Sequence, residues 1–385
     1  MLLFKLAFKN LIAAGLRTWL SVGVLAFAYI LIIFYNGLLD GWNQQARTDS
    51  IAWEFGHGQL WHADYDPYDP FSIQEAHGEI PKEFKENLVP ILVRQATIYP
   101  QGRLQSVLLK GIPANQNILV LPTRSLLESS DGTIKAIIGS QMATSTKLKK
   151  GSTVLMRWRD KNGTFDAMEI EIADVFQTNV PAVDNGTIWV DMSTLAKITG
   201  IEGMATYLVA SKDFTKPNSS NWIFHSQSSL LKSIDDIIAP KKISGYIIYT
   251  MLLGLAFLAI FDTQVMSIFR RQKEIGIFIA LGMTRWQVVR MFTIEGSSNS
   301  LLGAAAGAVF GTPLFIYFAR NGIVMPDYAQ SSGIVMSQTM FPAFGVGLVV
   351  TTIVLVIIAS TVVSFLPARK IAKMDPTLAL KGKIQ

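Results

Sequence analysis

Four apolar stretches limit what this chain can fold into. Residues 18–39, 244–268, 297–319 and 343–366 each run for about twenty residues or more with almost no charge. At about 1.5 Å of helical rise per residue, each is long enough for a ~30 Å hydrocarbon core. They are read as transmembrane helices. Residues 40–243, between the first and second stretches, are of mixed composition and long enough to hold a core of their own. The expected fold class is a membrane protein of four transmembrane α-helices, with a large mixed α/β domain inserted between the first and second. Lys5 and Lys9 precede the first stretch and "AFA" occurs at 26–28, as in a cleavable leader. The apolar run continues to Leu39, so an uncleaved anchor is expected.

Charge gives these helices a direction. Residues 1–17 carry Lys5, Lys9 and Arg17 and no acid. Residues 269–296 carry five basic residues, 367–385 carry five more, and 320–342 only Arg320. The inserted segment 40–243 holds 20 basic and 23 acidic residues, so the net charge of +6 arises outside it. Excess Lys and Arg marks cytoplasmic ends. Both termini and 269–296 are therefore expected in the cytoplasm, with 40–243 and the loop 320–342 on the far side. The basic balance fits anionic lipid headgroups and gives no reason to expect nucleic acid. With no cysteine in the chain, disulfides and thiol chemistry are excluded.

Along the chain, residues 1–17 read as an amphipathic helix on the cytoplasmic surface. Alternating apolar residues predict strands at 103–112, 152–160 and 166–176, the last two joined by a turn at 160–163. A strand at 186–192 leads into a helix from Ser193, 215–221 reads as a loop, and 226–239 as a helix returning to the membrane. Gly303, Gly307 and Gly311 repeat every four residues and make a smooth face for helix packing, within the chain or across a dimer. Asp262, within the second apolar run, is read as reaching the headgroup layer or a basic neighbour. His57, His62 and His77 share an aromatic segment with Asp64, Asp66 and Asp69, but their spacing matches no metal-ligand pattern. "DYDPYDP" reads as consecutive turns, and no metal is expected. The chain contains no G-x-x-x-x-G-K-[ST], G-x-S-x-G or H-E-x-x-H motif, so no enzymatic activity is expected of it.

The segment with most to say is "RRQKEIGIFIALGMTRWQVVR", Arg270 to Arg290, between two apolar runs. Ile275, Ile279, Gly282 and Trp286 keep a helical beat. No breaker separates this segment from the apolar run before it. "LGMTRW" at 281–286 then stops the helix at a glycine and restarts it. A rigid plate of this kind suits docking with a cytoplasmic partner.

The same residues resemble the FtsX/MacB-like permease family of ABC transporters. Glu274, Ile275, Gly276, Ile277, Ala280 and Gly282 match its basic-x-x-E-I-G-I-x-x-A-x-G pattern. Pro367, Ala368, Arg369, Asp375, Pro376 and Leu380 resemble its C-terminal ending. "FGHGQLW" at 55–61 and "IIGSQMATSTKLKKGSTVLMRWRD" at 137–160 look more like the lipoprotein-releasing branch, of LolC/LolE type. Members of that branch that recruit a chaperone carry an extended hook here, for which the turn at 160–163 leaves little room.

The resemblance implies a MacB-like fold in the bacterial inner membrane and a large periplasmic domain. It implies a separate cytoplasmic ATPase dimer, which binds ATP and magnesium while this chain holds no cofactor. A second permease copy or a related subunit, membrane lipids, a lipoprotein substrate and a periplasmic chaperone complete the expected partners. The rod becomes a coupling helix, with Arg271, Lys273 and Glu274 as polar contacts and Ile275 and Ile279 as the apolar anchor. Gly276, Leu281 and Gly282 belong to the same surface. An acylated substrate is expected between the first two helices, against Leu25, Ile30, Ile33, Phe34, Tyr249 and Leu252. The implied function is lipoprotein release by mechanotransmission. The alternatives are MacB-type efflux of peptides or toxins, and signalling that activates a cell-wall hydrolase.

Overall fold

The computed structural model describes residues 16–81, 87–127, 133–214, 221–324 and 339–370. In chain order, helix α1 (Leu16–Ser50) passes through a π-helical turn (Ile51–Phe55) into β1 (Gly58–His62) and α2 (Pro70–Glu75). Strands β2 (Gly78–Glu79), β3 (Leu88–Ile98), β4 (Gln105–Ile112) and β5 (Ile134–Gly139) follow. Next come α3 (Ser140–Thr146), β6 (Thr153–Arg159), β7 (Phe165–Phe176), α4 (Pro181–Asp184), β8 (Thr187–Asp191) and α5 (Met192–Thr199). β9 (Met204–Ala205), β10 (Tyr207–Ala210) and β11 (Trp222–Ser226) lead to α6 (Gln227–Arg270), α7 (Gln272–Ala280) and α8 (Arg285–Asn321). β12 (Ile323–Val324), β13 (Thr339–Met340) and α9 (Val346–Ala368) complete the described chain.

The chain divides into a sheet-rich unit built on Asn43–Ile237 and a helical unit built on the flanking segments. In the sheet-rich unit, β6 shows the driving pattern. Val154, Met156 and Trp158 are buried while Thr153, Leu155, Arg157 and Arg159 face out, the two-residue period of a half-buried strand. The order β3-β4-β8-β5-β7-β6 returns to β3 through Ala96 opposite Trp158, so six strands close into a barrel and lose their free edges. Leu92, Leu109, Ile138, Met156, Ile172 and Val190 fill its interior.

Opposite β4, β3 is long enough to serve two partners along its other edge. Residues 88–91 pair with β10, and 96–98 pair with β6. Between these ladders, the Val93 amide donates to Thr206 Oγ1 at 3.0 Å. β10, β1 and β11 extend the sheet away from the barrel. One buried acid organises a corner of it. The Asp184 carboxylate accepts from the amides of Gln141 and Met142, at 2.9 and 3.2 Å, and so caps α3. A β-carbon at Gly139 would run into that carboxylate.

In the helical unit, α1, α6, α8 and α9 are each long and apolar enough to cross a membrane. Leu25, Tyr29, Ile32, Ala256, Ile260 and Val356 form a core shared by α1, α6 and α9. Gly303, Gly307 and Gly311 seat α8 against α1, where a β-carbon at 303 would lie 2.7 Å from that of Leu25. Serine hydroxyls add interhelical bonds, at 2.8 Å for Ser360 to Ser300 and 2.9 Å for Ser21 with Thr263. Lys242 pairs with Asp40 at 3.0 Å, joining α6 to α1.

Three sequence expectations change. α1 runs to Ser50, past the expected end at Leu39. The helix expected at 226–239 and the apolar helix expected at 244–268 are one element, α6, with Pro240 inside it. The passage from α6 to the rod is interrupted at Arg271, which leaves helical geometry at φ −104° and ψ 20°. Residues 1–15, 215–220, 325–338 and 371–385, with the expectations attached to them, lie outside the described residues.

Candidate functional site

Backbone chemistry closes the rod where it meets α8. At its C-terminus, Gly282 adopts φ +98°, its amide bonds Ile279 O at 3.1 Å, and the Met283 amide bonds Phe278 O at 3.0 Å. This paired closure satisfies carbonyls a helix end leaves open, and glycine tolerates the positive φ. Two residues on, Thr284 starts α8. Its Oγ1 accepts from the Gln287 amide at 3.3 Å, while Gln287 Oε1 accepts from the Thr284 amide at 2.8 Å. Met283, before this cap, packs in the same cluster as Val288, as a hydrophobic staple requires.

The inward face of α7 is part of the core. Ile275 is fully buried among Ile268, Val288, Phe292 and Ala368, with Phe278 and Ile279 packed against them. Arg271 braces the elbow. Its Nε meets Glu274 at 2.7 Å, its Nη1 meets both oxygens of Glu295 at 2.9 and 3.0 Å, and its guanidinium lies 4.9 Å from the Phe292 ring centre. Such charge-assisted pairs to a carboxylate shielded from solvent are geometrically demanding.

The anchor assignment therefore needs correcting. Ile275 is committed to the chain's own core, and Ile279 is half-buried beside it. The outward stripe is instead Lys273, Ile277 and Leu281, four residues apart, with Leu281 78% exposed. Glu274, Gly282 and Trp286 are also exposed, whereas Gly276 is buried. Arg271 points inward to Glu295 and holds the rod against α8. Sequence reasoning missed Glu295; an acid at the head of an apolar helix was the available signal.

The residues named for a substrate path lie mostly in helix packing. Leu25 and Ile33 are buried in helix packing, Ile30 lies against Gly311, and Phe34 meets Phe318 edge-on at 5.3 Å. Tyr249 packs against the shared core, and Leu252 is half-buried. The open face of α1 is a different one, carrying Trp19, Leu20, Val24 and Phe27. Asp262 is exposed on α6. Two of the histidines lie against aromatics, His225 on Trp61 at 4.1 Å and His62 edge-on to Trp222 at 5.9 Å. Among the described residues no three His, Asp or Glu side chains converge as a metal site would need.

With this geometry in hand, residues 246–376 match the FtsX-like permease C-terminal family. The chain is 22% identical, over 72% of its own length and 74% of the relative's, to the lipoprotein-releasing system transmembrane protein LolC of Xylella fastidiosa (strain Temecula1). It is 28% identical, over 40% of its length and 22% of the relative's, to the macrolide export ATP-binding/permease protein MacB 2 of Aeromonas hydrophila. It is 26% identical, over 33% and 17%, to the pyoverdine export ATP-binding/permease protein PvdT of Pseudomonas entomophila.

Proposed function

Because residues 246–376 are an FtsX-like permease domain, and the chain is thus a permease of the LolC and MacB type, we propose that it couples to a separate ATPase through α7. The carrying observation is the contrast between the faces of the rod. Its inner face is capped, braced and buried, yet Lys273, Ile277 and Leu281 stand free. An exposed apolar pair beside a charge, on a helix held this firmly, suits a groove on a partner.

In this reading two ATPase subunits bind ATP and magnesium and close on two permease copies, or on this chain and a related one. α6 carries the displacement outward, so the protein works as a lever between packed rigid elements. The complex sits in the inner membrane with the rod cytoplasmic and the sheet-rich unit periplasmic. Its substrate is a lipoprotein extracted for transfer to the outer membrane. The match along most of the LolC protein's length supports this choice. The matches to MacB 2 and PvdT favour a second reading, export of a small molecule or peptide.

The test is affinity capture of the full chain from native membranes in mild detergent, with I277E/L281E alongside. Wild type should bring down a nucleotide-hydrolysing subunit, and the variant should lose it while unfolding at the wild-type temperature. Equal capture by both would remove α7 from the interface. Acylated proteins in the eluate would favour lipoprotein release over export.

A further inference from the structure

A cavity of about 650 Å³ opens on the outer wall of the barrel, where β6 closes against β3. That volume lies within the usual range for small-ligand sites. A polar row crosses the seam, because Arg157 stands opposite Thr97 and Thr97 opposite Ser106, all three lining the cavity. Arg159 is two residues along the same face, about 6.6 Å away at strand spacing. Arg157 and Arg159 lie 4.1 and 5.5 Å from the ring centre of one aromatic, Phe165. Two positive charges are thus held beside each other on a single ring.

Among the described residues no carboxylate neutralises them, and the one polar contact of the pair is from Arg159 Nε to Gly163 O at 3.0 Å. Among the described residues neither arginine has a carboxylate within ion-pair distance, and neither the Thr97 nor the Ser106 hydroxyl has a hydrogen-bond partner. The acids nearest in sequence are committed to the backbone. Asp160 accepts from the amides of Asn162 and Thr164 at 2.9 and 2.8 Å, and Asp166 from that of Ala167 at 2.8 Å. Glu75, the one carboxylate in the lining, is exposed and beyond ion-pair distance of both.

From this geometry we propose that the cavity binds a phosphate-bearing group. Two guanidiniums and two hydroxyls offer more donors than one carboxylate can use, and they match the several acceptor oxygens of a phosphate. Phe165 and the exposed Phe71 give the rest of an organic ligand an apolar wall. The phosphate can belong to a lipid headgroup or to a soluble ester. The inference is independent of the rod and its partner.

The experiment is calorimetric titration of the full chain in neutral-lipid nanodiscs with inorganic phosphate and with water-soluble dibutyrylphosphatidic acid. Both should bind saturably to wild type, and R157Q/R159Q should weaken binding at least tenfold with unchanged thermal unfolding. T97V/S106A, which keeps the charges, should weaken it by a smaller factor and serves if the arginine variant misfolds. A tenfold preference for the lipid analogue would assign a headgroup, and equal affinity a soluble phosphate. Absence of saturable binding at millimolar ligand, or affinity unchanged in both variants, overturns the proposal.

Discussion

Asp184 ends a one-turn helix and spends its carboxylate on the start of another, although burial pushes its pKa up. D184A leaves the amides of Gln141 and Met142 without that acceptor, and an unmade buried bond costs about 1–3 kcal/mol. The expected result is a lower unfolding midpoint for the sheet-rich unit, and G139A should act in the same direction. An unchanged midpoint in D184A would show that the cap is dispensable. His77 offers a second test, of pH. Burial first, then the neighbouring Arg94 and His62, lower its pKa from the ordinary value. The folded form therefore binds fewer protons than the unfolded chain, whose histidine titrates at about 6.5. Stability is undiminished above that pH and falls as the pH drops below it. H77Q should flatten part of the fall between pH 7.5 and 5.5, leaving the share of His225, which burial shifts the same way. An identical slope in H77Q would assign the dependence elsewhere.

At the scale of elements, the turn from α7 to α8 is the most exactingly specified. A side chain at Gly282 must adopt a positive φ, a conformation costing about 1–2 kcal/mol for an L-residue, and T284A removes a cap worth about 1 kcal/mol. G282V and T284A should each lower the thermal midpoint of the protein in detergent while leaving Ile277 and Leu281 chemically intact. Midpoints at the wild-type value would mean the turn is held by packing alone. This turn was legible because its glycine, threonine and glutamine act over a few residues. The face of the rod was not. Ile275 and Ile279 keep the helical beat, but Val288, Phe292 and Ala368 decide which side turns inward, and Ala368 comes from a helix some ninety residues away. The same holds for the barrel. The alternation in β6 can be read locally, whereas its closure depends on Ala96 meeting Trp158, and β3 is buried along most of its length, so its pattern does not show that its two halves have different neighbours.

For the whole molecule, orientation in the membrane is the expectation with the widest consequences, and the absence of cysteine makes it simple to test. Single cysteines placed at Tyr68 and Leu281, both strongly exposed, report from the sheet-rich unit and from the rod. In intact inner-membrane preparations with the outer face accessible, an impermeant maleimide should label Y68C at once and L281C only after permeabilisation. The reverse pattern would invert the topology. The elbow at Arg271 has a further consequence. Arg271 holds Glu274 of its own helix through Nε and Glu295 of α8 through Nη1, so the Glu274 pair travels with the rod while the Glu295 pair ties it to α8. The joint is a latch with a single tongue. Swinging α7 away from α8 withdraws one guanidinium from one carboxylate and leaves Glu295, 6% exposed, without its counter-charge.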